Sequence, residues 1–262
     1  MSDIKVERDG YVATLTLNRP EAMNTITQPM LASLSSHLIA CDENPGVRAI
    51  IITGDGRAFC AGLDLNDAAS EEGVSKGGFA LAAKLDLKTF PPNVLHHMDT
   101  PTICALNGGA AGFGMDLALS CDIRVAAASA KMAAVFTKRG VVPESGGTWL
   151  LPRMLGWARA CDIVFRGKTL DAPTCLELGL VNEVVEKDQL VAASRLVADE
   201  IAACAPLAVQ AAKRMMRSAL SEGFDEHTER AYLQTLPLLK SKDFKEGFSA
   251  FLEKRQPQFN GE

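Results

Sequence analysis

Two glycine-hinged stretches hold the residue types best suited to chemistry in this chain of 262 residues. The longer is Asn107-Gly-Gly-Ala-Ala-Gly-Phe-Gly-Met-Asp-Leu-Ala-Leu-Ser-Cys-Asp122, a glycine-rich loop feeding an apolar run of helical spacing. A loop that opens a helix leaves backbone N–H groups without intrahelical partners, and the helix dipole adds positive potential at that end. Such a place suits negative charge. The shorter stretch, Arg57-Ala-Phe-Cys-Ala-Gly-Leu-Asp-Leu65, is small and apolar and follows a very hydrophobic strand. Together the two predict a site in which backbone amides hold one developing oxyanion. Two carboxylates stand close to such turns. Asp116 falls in the first turn of the expected helix, and Glu144 precedes a helix start in Val141-Val-Pro-Glu-Ser-Gly-Gly147. Either placement is favourable near a helix N-terminus even without a catalytic role.

Other chemistries fit poorly. Gly109-Ala-Ala-Gly-Phe-Gly114 has the glycine spacing of a phosphate-binding loop, but Met115-Asp116 stands where Lys and Ser/Thr are required. It does not match the dinucleotide fingerprint either. Ser145 lacks the glycine two residues earlier that a nucleophile elbow has, and no His/Asp partner is evident. The seven cysteines form no Cys-x-x-Cys and lie mostly in apolar runs, which predicts buried thiols rather than disulfides or a metal site. No two of the four histidines make a His-x-x-x-His pair, so no metal site is expected. A net charge of −5 argues against a nucleic-acid or anionic-membrane partner. No apolar run approaches the roughly 20 residues of a membrane span. The chain opens directly on a strand pattern, without a targeting signal, which predicts a cytoplasmic protein.

The elements that must position these loops follow from pattern. Ile4 to Leu17 reads as a hairpin about Asp9-Gly10. A helix follows with Thr27 as N-cap and Pro29 in its first turn. Val47–Thr53, Thr102–Leu106 and Ile123–Ala127 are short continuous apolar strands. Residues 66–92 read as a substrate-shaping surface lobe, with a helix from Phe79 to Phe90 followed by Pro91-Pro92. Later helices start at Ser145–Thr148, Asp171, Asp188 and Pro206, and residues 224–255 are helical. Strands therefore alternate with helices to about residue 185, and the remainder is helical. No repeat is visible at the level of the sequence itself, although strand–turn–helix units recur.

The fit becomes specific in Ala58-Phe-Cys-Ala-Gly-Leu-Asp-Leu65, Asn107–Gly114 with Cys121-Asp122, Gly140-Val-Val-Pro-Glu-Ser-Gly-Gly147 and Lys245-Glu-Gly-Phe-Ser-Ala-Phe-Leu-Glu-Lys-Arg255. Asn18-Arg-Pro and Leu176-Glu-Leu-Gly-Leu-Val-Asn182 agree as well. In order and spacing these resemble the crotonase (enoyl-CoA hydratase/isomerase) superfamily over nearly the whole chain. The resemblance implies an α/β fold, a spiral of repeated ββα units over residues 1–200 carrying the CoA site. Residues 201–262 would form a helical C-terminal trimerisation region. A homotrimer, or a hexamer made of two trimers, would be the assembly.

The resemblance also implies roles. The substrate would be an acyl-CoA thioester, with coenzyme A arriving as part of it and no other cofactor. The amides of Leu63 and Phe113 would form the oxyanion hole, although the family often has Gly at the second position. Two-carboxylate hydratases carry Glu at the positions of Asp116 and Phe136. Here one is shortened and the other is an apolar ring, placed in the substrate pocket and expected to raise the pKa of a neighbouring base. Glu144 matches the sole base of one branch of 3-enoyl-CoA to 2-enoyl-CoA isomerases, so it is the expected principal base, with Asp116 as a second candidate. Arg57, Ala61, Leu65, Phe251 and Lys254 match CoA-contacting positions, the last two toward a neighbouring subunit's CoA. Isomerisation or hydration of an enoyl-CoA is the expected reaction. Alternatives are hydrolase or dehalogenase chemistry with Glu144 as nucleophile, or a non-catalytic CoA-binding role.

Overall fold

The chain begins as a hairpin, β1 (Ile4–Asp9) and β2 (Val12–Leu17), antiparallel with Asp9 opposite Val12 and Gly10 at φ +59° in the turn. The computed structural model describes residues 2–64 and 87–262. Helix α1 (Gln28–Asp42) follows, and the Thr27 hydroxyl accepts from the Met30 amide at 3.4 Å, the expected cap. The chain then lays down β3 (Ala49–Gly54), β4 (Ala58–Cys60), α2 (Pro91–His97), β5 (Thr102–Leu106), β6 (Gly109–Ala111), α3 (Phe113–Ser120), β7 (Ile123–Ala127) and β8 (Lys131–Ala133). Next come α4 (Gly147–Leu155), α5 (Trp157–Phe165), β9 (Thr169–Asp171), α6 (Ala172–Glu177), β10 (Glu183–Val185) and α7 (Leu190–Ala202). Three helices, α8 (Pro206–Ala219), α9 (Phe224–Leu238) and α10 (Lys242–Glu253), complete it.

The strands form two sheets, ordered β1-β2-β3-β5-β7-β10 and β4-β6-β8-β9. The pairs β3/β4, β5/β6 and β7/β8 each give their first strand to the large sheet and their second to the small one, and neighbouring pairs align in parallel. That alternation is the repeat of the spiral. It escapes the sequence because the small-sheet strands are only three residues long and rich in Ala and Gly, which leaves no period-2 pattern to read. β4 and β6 were expected to be loop. The large-sheet strands β3 and β5 are nearly continuous in burial, as apolar runs covered on both faces should be.

Two expectations need correction. Of the lobe expected over residues 66–92 and the helix expected from Phe79 to Phe90, residues up to 86 lie outside those described. Beyond them Leu87–Thr89 form a 3-10 turn, and Pro91-Pro92 open α2. Proline in a first turn forfeits only N–H groups that have no intrahelical partner. The segment 224–255 is two helices, broken between Leu238 and Lys242, with Ser241 capping the second through the Phe244 amide at 3.0 Å.

Helix α3, which carries the glycine-rich loop at its start, is also fixed at its end. The buried Arg124 guanidinium donates to the carbonyls of Ala118, Leu119 and Cys121, and to Leu180 across the fold. These bonds satisfy carbonyls that a helix C-terminus leaves unpaired. Lys213 of α8 reaches the Thr100 carbonyl at 2.9 Å and Asp122 at 2.7 Å, tying the terminal helices to the spiral. Those helices expose large apolar side chains, Phe224 and Phe251 each at 81%. Among the described residues no helix is long and apolar enough to cross a membrane.

Candidate active site

The two glycine-hinged stretches meet at one end of the small sheet. β4 and β6 are parallel, with Cys60 opposite Ala110, so Leu63 and Phe113 each lie three residues beyond a paired position, on the same side. Leu63 forms an isolated parallel bridge with Ile26. Ile26 donates to the Gly62 carbonyl at 2.9 Å and accepts from the Asp64 amide at 2.9 Å. In a parallel bridge these bonds use the peptides on either side, so the N–H of Leu63 itself points away from Ile26. Phe113 is the first residue of α3, where an N–H has no intrahelical acceptor. Among the described residues neither amide donates a backbone hydrogen bond. The fold thus leaves two backbone N–H groups without backbone acceptors at the same end of the small sheet.

Glycine makes this approach possible. A Cβ on Gly114 would stand 2.0 Å from the Cys60 carbonyl oxygen, a backbone atom that cannot step aside. The start of α3 therefore presses against β4 as no other residue would allow. Gly62, at φ +109°, lies where a Cβ would be 3.0 Å from the Ala111 carbonyl. The Phe113 ring is 2% exposed and packs edge-on against Phe90, with centroids 5.7 Å apart. The side chain at the second donor is thus part of the apolar packing, and only its backbone is offered.

The carboxylates divide sharply. Asp116 is wholly buried in α3, and its Oδ2 accepts from the Gly147 amide at 3.2 Å, at the start of α4. A Cβ on Gly147 would fall 2.3 Å from Asp116 Oδ1, so the pair is fitted together through a glycine. Burial pushes the Asp116 carboxyl up to about 7. The amides of Gly147 and Ser145 pull it down, and the neighbouring charge of Glu144 pushes it up. Its Oδ1 has no hydrogen-bond partner among the described residues. Glu144 is exposed, and its Oε1 accepts from the Ser145 hydroxyl at 3.1 Å. Phe136 is 4% exposed, and its carbonyl closes the turn by accepting from Arg139 and Val141. The carboxyl taken out of water is therefore that of Asp116, not the Glu144 carboxyl expected to sit beside Phe136.

The CoA-contacting candidates scatter more widely. Arg57 is exposed just before β4, and Ala61 donates its amide to the Met23 carbonyl at 3.0 Å. Leu65 lies outside the described residues. Phe251 and Lys254 sit at the end of α10, where Lys254 adopts a left-handed conformation at φ +55° and closes the helix. Phe251 lines an apolar groove of about 540 Å³ with Phe244, Phe248 and Phe259. Among the described residues, none of the two glycine-hinged stretches or of the Glu144 loop contributes to that groove. Sequence reasoning overlooked Gly147 as a packing position and gave Arg19 and Asp64 no role. The signal for that pair was an arginine in a turn-rich loop and an acid directly after a donor residue.

Comparison with known proteins places the chain in a family. The family model described as enoyl-CoA hydratase/isomerase matches residues 7–262. The 1,2-epoxyphenylacetyl-CoA isomerase of Escherichia coli is 40% identical over 95% of each chain. The 2,3-dehydroadipyl-CoA hydratase of the same organism is 36% identical over all of both chains. The crystal structure of an enoyl-CoA hydratase from Bacillus anthracis superposes with a TM-score of 0.93 at 32% identity over all of both chains. With the ββα spiral and the matched sequence, this chain belongs to the enoyl-CoA hydratase/isomerase family and has the crotonase fold.

Proposed function

We propose that the protein isomerises a 3-enoyl-CoA to a 2-enoyl-CoA, with Glu144 as the base and the amides of Leu63 and Phe113 as the oxyanion hole. The observation that carries this reading is the division of the carboxylates. Of the two carboxylates Glu144 is the exposed one, Asp116 is enclosed and bonded to the Gly147 amide just after the Glu144 loop, and Phe136 occupies the remaining acidic position of the resembling hydratases. Glu144 takes a proton from C2, the electron pair moves into the thioester carbonyl, and the dienolate oxygen is held by the two amides. The same carboxylic acid returns the proton at C4, leaving the double bond between C2 and C3. One base serves both steps, because the allyl system carries the charge between the two carbons. Each preorganised amide donor supplies roughly 3 kcal/mol to such an anion. Asp116 then acts as the anchor that holds the Glu144 loop against α3, rather than as a proton carrier.

Hydration of a 2-enoyl-CoA is the second reading, favoured by the electrostatic coupling between Asp116 and Glu144. Two carboxyl groups that sense one another could orient a water and deliver a proton. Both reactions are assayed on purified protein by offering 3-enoyl-CoA and 2-enoyl-CoA separately. Glu144→Gln is expected to lower isomerisation about 10²–10⁴-fold, the range for loss of a general base. An unchanged rate eliminates Glu144 as base. Hydration exceeding isomerisation in the native enzyme, and lost in Asp116→Asn, replaces the first reading with the second.

A further inference from the structure

The geometry points to Arg19, acting through Asp64, as the positioning residue that aims the Leu63 amide. This inference rests on Leu63 being an oxyanion donor and is independent of which group is the base. Arg19 Nη1 donates to the Thr25 carbonyl at 2.8 Å, and Nη2 donates to Asp64 Oδ2 at 3.0 Å. The ion pair is mostly withdrawn from water, with side chains 20% and 13% exposed. Thr25 supplies its hydroxyl to the same carboxylate oxygen at 3.3 Å. One guanidinium thus joins the residue before Ile26 to the residue after Leu63, and Ile26 and Leu63 are the two bridge partners.

The rest of the loop makes this a fixed frame. Asn24, fully buried at φ +55°, accepts from the Arg19 amide at 2.9 Å and donates to the Ala58 carbonyl at the start of β4 at 2.8 Å. The Ala61 amide meets the Met23 carbonyl. The Leu63 peptide is therefore held from one side by backbone bonds and the Arg19–Asp64 pair, while its own N–H faces the other side. A planar two-pronged donor is required here. Lysine, a single point donor, cannot hold the Thr25 carbonyl and the carboxylate with the same geometry.

The test uses the full-length enzyme, with Arg19→Ala, Arg19→Lys, Asp64→Asn and the double variant Arg19→Ala/Asp64→Asn. Acetoacetyl-CoA serves as the probe, because its enolate absorbs in the near ultraviolet and the bound enolate fraction reports the oxyanion hole without any turnover. Complete loss of an oxyanion donor costs about 10²–10³-fold in kcat, so misdirecting one is expected to lower kcat about 10–50-fold. KM should stay within a few-fold, and the bound enolate fraction should fall in parallel. The double variant should be no worse than the worse single one, because both remove the same link. Arg19→Lys should lie between wild type and Arg19→Ala, and it covers the case in which the alanine variant does not fold. Enolate formation and kcat that survive Arg19→Ala overturn this inference alone. Losses that add in the double variant and follow the melting temperature overturn it too, since they mark general destabilisation. A wild-type enzyme that shows no enolate overturns both the oxyanion reading and this one.

Discussion

The amides of Leu63 and Phe113 stand on backbone locked by close glycine contacts and a parallel bridge, whereas the Glu144 carboxylate stands on an exposed loop anchored by one buried aspartate. The first region offers no side-chain chemistry. Its donors are main-chain N–H groups, available from any residue except proline, so a phenylalanine can occupy the second donor position without loss of the donor. The second region is all side chain, and the acid at each position decides what can be done. On the proposed reading, the contrast teaches that backbone geometry would specify where negative charge is stabilised, while a few replaceable carboxylates would choose the reaction.

The largest expected effect breaks the backbone side. Gly114→Ala forces a methyl group to within 2.0 Å of the Cys60 carbonyl, so α3 must retreat from β4 and carry the Phe113 amide with it. A fall in kcat of about 10²-fold or more is expected, with lowered stability from overpacking. Gly109→Ala is the matched control in the same loop, because a Cβ there meets nothing within 4 Å. It should alter kcat by less than about 3-fold, as surface substitutions away from special features do. If both alanines behave alike, close packing is not what sets the donor.

The next effect is on the anchor between the regions. The Asp116 carboxyl sits at about 7 when folded against an ordinary value of 3.8. Between those values the folded protein binds a proton that the unfolded chain has released. The stability this group contributes is therefore complete below about pH 4 and is lost as pH rises through about 7. Asp116→Asn does not titrate. Its stability relative to wild type should rise between pH 4 and pH 8 by up to about 4 kcal/mol, measured by denaturant unfolding at each pH. A difference that is flat, or that slopes the other way, would show the aspartate ionised at neutral pH. Asn keeps an oxygen for the Gly147 amide, so kcat should fall no more than about 10-fold if Asp116 anchors, against about 10²–10⁴-fold if it carries the proton.

Legibility in the sequence follows the same division. The hairpin, the Thr27 and Asp171 caps and the buried strands were readable, because turn chemistry, capping residues and apolar runs are local signals. The positions proposed for the two donors came from matching motifs, and neither N–H donates a backbone hydrogen bond among the described residues. What could not be read depends on distance between segments. Nothing local announces that Gly114 must clear the Cys60 carbonyl or that Gly147 must clear Asp116. Nor does Asp116 announce its burial, since an acid in a first turn has a sufficient local reason to be there. The three-residue strands β4 and β6 carry too few side chains for a pattern, so the pairing behind the spiral repeat emerges only in the structure. Helix α2 is not legible from Pro91-Pro92 alone, because a proline pair marks the end of one element as readily as the first turn of the next.

The smallest expected effect lies in α10. Lys254 closes that helix in a left-handed conformation and is exposed, and Phe251 beside it is 81% exposed over the apolar groove. An exposed lysine that meets a CoA phosphate across a subunit boundary would contribute a screened interaction, so Lys254→Ala should raise KM about 2–5-fold with kcat unchanged. The increase should shrink as salt is added, because screening already weakens the native contact. Lys254→Gly separates charge from conformation. Glycine adopts the left-handed cap without cost, so it should restore any stability that alanine loses at this position while leaving KM high. If KM instead recovers with stability, Lys254 is only a helix cap, and the thioester is held by the spiral alone.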